Sequence, residues 1–330
     1  MKVLLTHTPD FRRQYYGERS LKRLQAVAQV ELNEADEVLD ASALIEAARD
    51  VDIVVADRVT EGRGKIFPQL PKLRAFVRCA VDIRNIDVAA ASAAGVLVTR
   101  ASPGFVPAVA ELALGFMVDL SRGVSRTTAD YHAGRKPEVA MGRQLAGSRI
   151  GIIGYGSIGR HLAQLAKALG MEVMVADPFA TIADADIGRL PLDDLLSRAD
   201  YVVCLAIANE QAENLIGQAA LARMQPHAFF INLSRGNLVD EAALAAALRE
   251  KRIAGAAMDV GRAPDQMPTP ELAKLPNVIA TPHIGGLTPQ AIEHQALETV
   301  RQVEAIIQGD APVGAVNAEH WTRRPEKDAR

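Results

Sequence analysis

The chain predicts an α/β protein of doubly wound parallel sheets. Short apolar runs alternate with helix-patterned stretches from one end to the other, as when parallel strands are covered by helices. The stretch Arg149–Asp177, RIGIIGYGSIGRHLAQLAKALGMEVMVAD, reads as strand, glycine-rich turn, helix and second strand, ending in a carboxylate. With 330 residues, 49% of them hydrophobic, the chain is long for one domain and comfortable for two cores.

The elements follow in order. The first hundred residues offer the strands KVLLT, VDIVVA, LRAFVR and GVLVTR, and helical patterns around Leu21–Ala28, Ala41–Arg49 and Asp87–Gly95. A longer helical stretch runs from Val106 to about Thr128. Its apolar residues cover most of its circumference, which predicts burial between two bodies. A second unit opens near Ser148 with RIGIIG. Its helix runs from about Ile158 to Leu169 and stops at Gly170, a suitable C′ residue. The strands YVVCLAI, AFFINLS, GAAMDV and NVIATPH come next, with the helix Asp240–Lys251 among them. After Gly285 and Gly286 a last helix spans about Pro289–Gln308, and the polar tail from Asn317 predicts no element.

Composition excludes several classes of function. A net charge of −3 gives no reason to expect nucleic acid or an anionic membrane as partner. No run approaches the ~18 apolar residues of a membrane span. MKVLLTHTPD has one Lys and too short an apolar run for a leader, so it reads as a first strand. Seven scattered His, with no H-E-x-x-H and no C-x-x-C, argue against a metal. Cys79 and Cys204 fall in strand-like runs and read as buried free thiols of a cytoplasmic protein.

The glycine-rich turn carries chemistry. Gly154 permits the tight turn, Gly156 lets backbone approach a pyrophosphate, and Gly159 lets helix pack on strand. The helix end supplies free N–H groups and positive dipole for phosphates. Asp177 stands close to the ~20 residues past the turn expected of a ribose 2′-OH acceptor. A carboxylate there repels a 2′-phosphate, so the turn favours NAD over NADP.

With the turn, NLSRG, TPHIGG and their order in view, the chain resembles the D-isomer-specific 2-hydroxyacid dehydrogenases. The resemblance runs from Arg84–Asp87 through AVAELAL at Ala108–Leu114 and QLAGSRIGIIGYGSIG to INLSRGNLVDE and TPHIGG. It implies two Rossmann-like domains with a cleft between them. Residues 1–99 plus 287–330 would form a discontinuous substrate domain, and 100–286 the NAD-binding domain. It also implies a homodimer. Ser157 and Ile158 of the turn, Ser234, Gly285 and Gly286 are then expected on the cofactor.

Three tasks define the implied reaction: gripping a carboxylate, moving the hydroxyl proton, and presenting C2 to the nicotinamide. Arg235, just after a strand, can bind a carboxylate through two hydrogen bonds and polarise a keto group. His283, in P-H-I-G-G, titrates near neutrality and can act as base or acid. The family places a glutamate five residues after the Asp of D-V-F-x-x-E-P to partner this histidine. Here that position is Pro264, and Asp265 comes one residue later. Either the loop shifts and Asp265 orients His283, the favoured reading, or the histidine works without a carboxylate partner. Asp259 matches the family residue that faces the nicotinamide carboxamide.

The substrate loop departs as well. The family's R-x-G-x-G-x-D-N-I-D appears here as Arg78-Cys79-Ala80-Val81-Asp82-Ile83-Arg84-Asn85-Ile86-Asp87. Ala80 and Asp82 replace glycines, and Arg84 replaces the acid. Arg78, Ala80, Val81 and Asp82 are the expected substrate contacts. Arg58, Arg78 and Arg100 each follow a strand: either some are surface residues or pair with Asp57 and Asp82, or they select a substrate with a second anionic or polyhydroxylated end. A formate- or phosphite-type dehydrogenase on the same scaffold, and a non-catalytic NAD-sensing protein, are the rival readings.

Overall fold

The computed structural model describes residues 1–264 and 266–326. They divide into two compact units, one of Met1–Gly104 with 289–326 and one of Phe105–Thr288.

The first unit carries β1 (Lys2–Leu5), α1 (Pro9–Tyr15), α2 (Glu18–Val27), β2 (Gln29–Leu32), α3 (Ala41–Ala47), β3 (Ile53–Ala56), β4 (Ala75–Arg78), α4 (Val88–Ala93) and β5 (Leu97–Arg100). Its sheet is parallel, in the order β2-β1-β3-β4-β5. The chain therefore turns back between β1 and β3, and ligand crevices open at the carboxyl ends of strands beside such a reversal. Ile53–Ala56 and Ala75–Arg78 are buried throughout. Strands covered on both faces need this continuous run of apolar side chains.

The second unit carries α5 (Val106–Arg122), α6 (Val124–His132), β6 (Arg149–Ile153), α7 (Ser157–Ala168), β7 (Glu172–Ala176), β8 (Ile187–Arg189), α8 (Leu192–Arg198), β9 (Tyr201–Cys204), α9 (Gln218–Arg223), β10 (Phe229–Asn232), α10 (Glu241–Arg249), β11 (Gly255–Met258), α11 (Pro270–Ala273) and β12 (Val278–Ala280). The sheet is again parallel, in the order β12-β11-β10-β9-β6-β7-β8. Its reversal lies between β6 and β9, and the glycine-rich turn leaves β6 there. The chain then returns to the first unit as α12 (Pro289–Ile307).

Two details differ from expectation, and a third concerns a segment that carries no expectation. The stretch from Val106 is two helices, because Gly123 adopts φ +65 and breaks it. Helix α5 buries Val109, Ala113, Phe116 and Met117, yet Val118 is exposed, so one stripe faces outward in this chain. Residues 317–323 are docked on the rest of the first unit. Asn317 Oδ1 accepts from Val98 N–H at 2.7 Å, and buried Trp321 donates Nε1–H to the Arg74 carbonyl at 3.0 Å.

Both cysteines are buried and free, and burial pushes each thiol up to about 12. Among the described residues, no helix is long and apolar enough to cross a membrane.

Candidate active site

In the second unit, the turn after β6 is shaped by backbone crowding. Gly154 sits at φ +95, and a Cβ there would lie 2.7 Å from the Ala206 backbone. A Cβ on Gly159 would collide with the Gly154 carbonyl oxygen. A Cβ on Gly156, by contrast, would meet nothing within 4 Å. Gly156 is the N-cap of α7, and no side chain caps that end. The first-turn N–H groups of Ser157 and Ile158 and the positive helix end thus face open space. Asp177, directly after β7, is held by three backbone donors. Oδ2 accepts from Tyr155 N–H at 2.7 Å, and Oδ1 from Phe179 and Ala180 N–H at 2.9 and 3.1 Å. Partial burial raises its pKa, but these three bonds outweigh it and hold the carboxyl below its usual range.

Arg235, Asp259 and His283 follow three neighbouring strands, β10, β11 and β12. Arg235 is half-buried in extended backbone, with Nη1 donating to the Ser234 carbonyl at 2.7 Å. Ser234 Oγ donates to the Ala206 carbonyl at 2.5 Å, which ties this loop to the one after β9. Gly236 has no room for a side chain against the Gly261 backbone. His283 is half-buried at φ +55, a left-handed conformation that a side-chain-bearing residue keeps only when its surroundings impose it.

The surroundings are Asp259. Its carboxylate, 2% exposed, accepts from Thr281 Oγ1 at 2.7 Å, Ile284 N–H at 2.8 Å and Gly285 N–H at 2.8 Å. The expected role of Asp259 toward a nicotinamide carboxamide is thus joined by an observed one: both oxygens anchor the turn that carries His283. Gly285 approaches so closely that a Cβ would lie 2.9 Å from Asp259 Oδ2, and a Cβ on Gly286 would lie 3.2 Å from Phe105.

The loop after β11 is folded back on itself. Gly261 N–H donates to the Gln266 carbonyl at 2.9 Å, and Ala263 N–H to the Met267 carbonyl at 3.1 Å. A Cβ on Gly261 would lie 2.7 Å from Glu241 Oε1, so the family's Phe has no place here. Arg262 pins the loop: Nε donates to the Val239 carbonyl at 2.8 Å, and Nη2 to Glu213 at 2.9 Å and Asn214 Oδ1 at 2.6 Å. Asp265, the expected partner of His283, lies outside the described residues.

In the first unit, Arg78 corrects an expectation. It is fully buried, and its guanidinium donates to the carbonyls of Asp57 and Thr60 (2.8 Å for Thr60) and to Asn85 Oδ1 at 2.8 Å. Its two terminal nitrogens are taken by protein acceptors, its buried Nε has no hydrogen-bond partner, and no part of the side chain is exposed for a ligand. Burial lowers its pKa to about 10, opposed by the nearby Asp57. Asp82, which would repel a substrate carboxylate, is paired with Arg84: Nε donates to both carboxylate oxygens at 3.0 Å and Nη2 to Oδ2 at 2.5 Å. Ala80 and Val81 are half-buried beside it. Of the other two arginines, Arg100 is exposed at the end of β5. Arg58 is exposed after β3, its guanidinium 5.2 Å from the centre of the Tyr15 ring.

A family model for the NAD binding domain of D-isomer specific 2-hydroxyacid dehydrogenases matches residues 114–285. An (S)-sulfolactate dehydrogenase of Chromohalobacter salexigens is 36% identical over 269 residues, 80% of this chain and 87% of that one. The chain belongs to the D-isomer specific 2-hydroxyacid dehydrogenase family. A D-3-phosphoglycerate dehydrogenase of Synechocystis sp. is 33% identical over 298 residues, 89% of this chain and 53% of that protein. The chain thus spans about half the length of the phosphoglycerate dehydrogenases it matches. In fold it is similar to D-2-hydroxyisocaproate dehydrogenase, with a TM-score of 0.86, 24% identity, and 96% and 100% of the two chains covered.

The cofactor of this family is NAD, and the residues present fit it. The uncapped end of α7, the open space at Gly156 and the ionised Asp177 form a cradle for a dinucleotide. Sequence reasoning missed Asn85, Glu241, Arg262 and Thr281, all of which hold loops. Asn85, Glu241 and Thr281 stand inside the stretches that carry the resemblance, but their partners are distant in sequence, so the motif does not show what they hold.

Proposed function

We propose that this dehydrogenase interconverts a D-2-hydroxy acid and its 2-keto acid, with the second unit binding NAD and the first gripping the substrate. NAD accepts or donates the hydride. Arg235 binds the substrate carboxylate and polarises the keto oxygen. His283 donates a proton to that oxygen in reduction and removes it in oxidation. Asp265 orients His283. The observation that carries this reading is the placement of Arg235, Asp259 and the His283 turn at the carboxyl ends of the consecutive parallel strands β10, β11 and β12. Open parallel sheets present reacting groups at that edge.

The substrate carries a second anionic end. The relatives named phosphoglycerate and sulfolactate dehydrogenases support this, since phosphate and sulfonate are such groups. Exposed Arg58, stacked on Tyr15, is the residue that receives it. The enzyme works as a homodimer in the cytoplasm. Exposed Val118, Val124, Val139 and Met141 near α5 and α6 support a partner surface.

The test is a panel of keto acids with NADH, read at the nicotinamide absorbance. Turnover that depends on Arg235 and His283 is expected. Turnover of formate or phosphite alone, or of nothing, would overturn the proposal. A monomer in sedimentation would remove the dimer.

A further inference from the structure

The loops that follow β3 and β4 are joined by side chains as well as by the sheet. Arg78, last residue of β4, reaches back to the Asp57 and Thr60 carbonyls in the first loop and forward to Asn85 Oδ1 in the second. Asn85 returns the link, its Nδ2 lying 3.4 Å from the Arg58 carbonyl and 3.5 Å from that of Val59. Backbone completes the seam: Gly62 N–H donates to the Asn85 carbonyl at 3.0 Å, and Asp87 N–H to the Gly62 carbonyl at 2.8 Å. Asp57 closes the first loop from within, Oδ1 accepting from Val59 and Thr60 N–H at 2.7 and 2.8 Å. A buried guanidinium held by neutral carbonyl oxygens through its terminal nitrogens, with Nε left without a partner, is a costly arrangement unless it fixes something. What it fixes is the span between its two anchors, residues 79–84, with Ala80, Val81 and the Asp82–Arg84 pair.

We infer that Arg78 and Asn85 are positioning residues, which lock the two loops into one rigid rim and so set the reach of Ala80–Arg84 toward the substrate. The inference rests on the functional reading above. Loosening the rim weakens substrate capture while the cofactor, held by the other unit, binds as before.

Asn85 is half-buried, so Asn85→Ala is expected to fold. It should raise KM for the best keto acid by roughly tenfold, since small misplacements of a gripping group cost this much or more. The kcat should change by less than about threefold, and the dissociation constant of NADH should not move. Amide hydrogen exchange in residues 80–84 should quicken by about the same tenfold. Asn85→Asp keeps an acceptor for Arg78 and should bring KM back toward the wild-type value. Arg78→Lys cannot span three acceptors and should resemble Asn85→Ala with a lower melting temperature.

Wild-type KM in Asn85→Ala overturns the inference, whatever the exchange shows. So does an Asn85→Asp variant as impaired as Asn85→Ala. If the wild-type protein turns over no keto acid, the functional reading falls instead, and unchanged exchange in Asn85→Ala would separately refute the rim.

Discussion

Replacing Asp259 by Asn tests whether the buried carboxylate holds the histidine turn. The side chain keeps its shape and loses one acceptor. Oδ1 serves two donors, Thr281 and Ile284, whereas Oδ2 serves only Gly285. The amide will therefore place its oxygen at the Oδ1 position and its NH2 against Gly285 N–H. One charge-assisted bond is lost, and a buried N–H faces another donor. The lost bond to a charged group, with the orphaned donor, amounts to about 2–3 kcal/mol. Gly285 is two residues from His283, whose φ of +55 depends on this anchoring. If the whole loss falls on the transition state, kcat drops by roughly 30- to 150-fold at ~1.4 kcal/mol per decade. The assay is steady-state reduction of the best keto acid, with amide exchange at Ile284 and Gly285 in parallel. Exchange should quicken at Gly285 first. A variant with wild-type kcat and protected amides would refute the anchoring argument.

Four further outcomes are expected. His283→Ala should lower turnover by roughly 10²–10⁴-fold with NADH binding intact, and a near-normal kcat would remove its assignment as the acid–base group. Asp177 should make NADH the better cofactor: unit charges about 4 Å apart near a surface repel by roughly 4 kcal/mol, so kcat/KM for NADPH should be lower by ~10²-fold or more, and parity would refute the role. Burial holds the His7 imidazole down at about 4 from 6.5, so it stays neutral in the folded chain. This stability is complete above about pH 6.5 and is lost as pH falls toward 4, reaching ~3 kcal/mol in all. His7→Gln should flatten the fall in urea midpoint between pH ~7 and pH ~5, and an unchanged slope would show that His7 is not its source. Finally, Arg58→Gln should raise KM for a doubly anionic keto acid and leave pyruvate unaffected, and added salt should mimic it; equal effects on both substrates would count against a second anionic site.

The fold was legible where strands are buried on both faces. VDIVVA, YVVCLAI and AFFINLS announce themselves because a central parallel strand needs an unbroken apolar run. The strands β2 (QVEL) and β8 (IGR) escaped, since they lie at sheet edges and are mostly half-buried or exposed. Short helices such as α1 and α9 were equally silent. They are too short for a periodic pattern to stand out, and α1 is fixed largely by its Thr8 cap and Pro9. Gly123 was visible as a glycine, but only its left-handed φ shows that it ends one helix and begins another.

The site was legible as a set of residue types and less so as a set of roles. Asp57, Asp177 and Asp259 share one position: each is the first residue after a parallel strand. Each also does the same thing, accepting backbone N–H groups from a loop that would otherwise be free to wander. Asp57 takes Val59 and Thr60, Asp177 takes Tyr155, Phe179 and Ala180, and Asp259 takes Ile284 and Gly285. The reason is physical. A strand that leaves a sheet exposes several unpaired N–H groups at once, and an ionised carboxylate accepts more of them than any other short side chain. A sequence motif cannot separate an acid that meets a ligand from one that holds the loop, because both belong at the carboxyl end of a strand. Asp177 can serve in both ways, since its Oδ2 accepts only the Tyr155 N–H and keeps a lone pair for a ribose hydroxyl. Asp259 carries the same number of donors but is nearly sealed from solvent. What the structure shows of Asp259 is the anchoring of the His283 turn, and in the proposed reaction any contact with the cofactor would come on top of that.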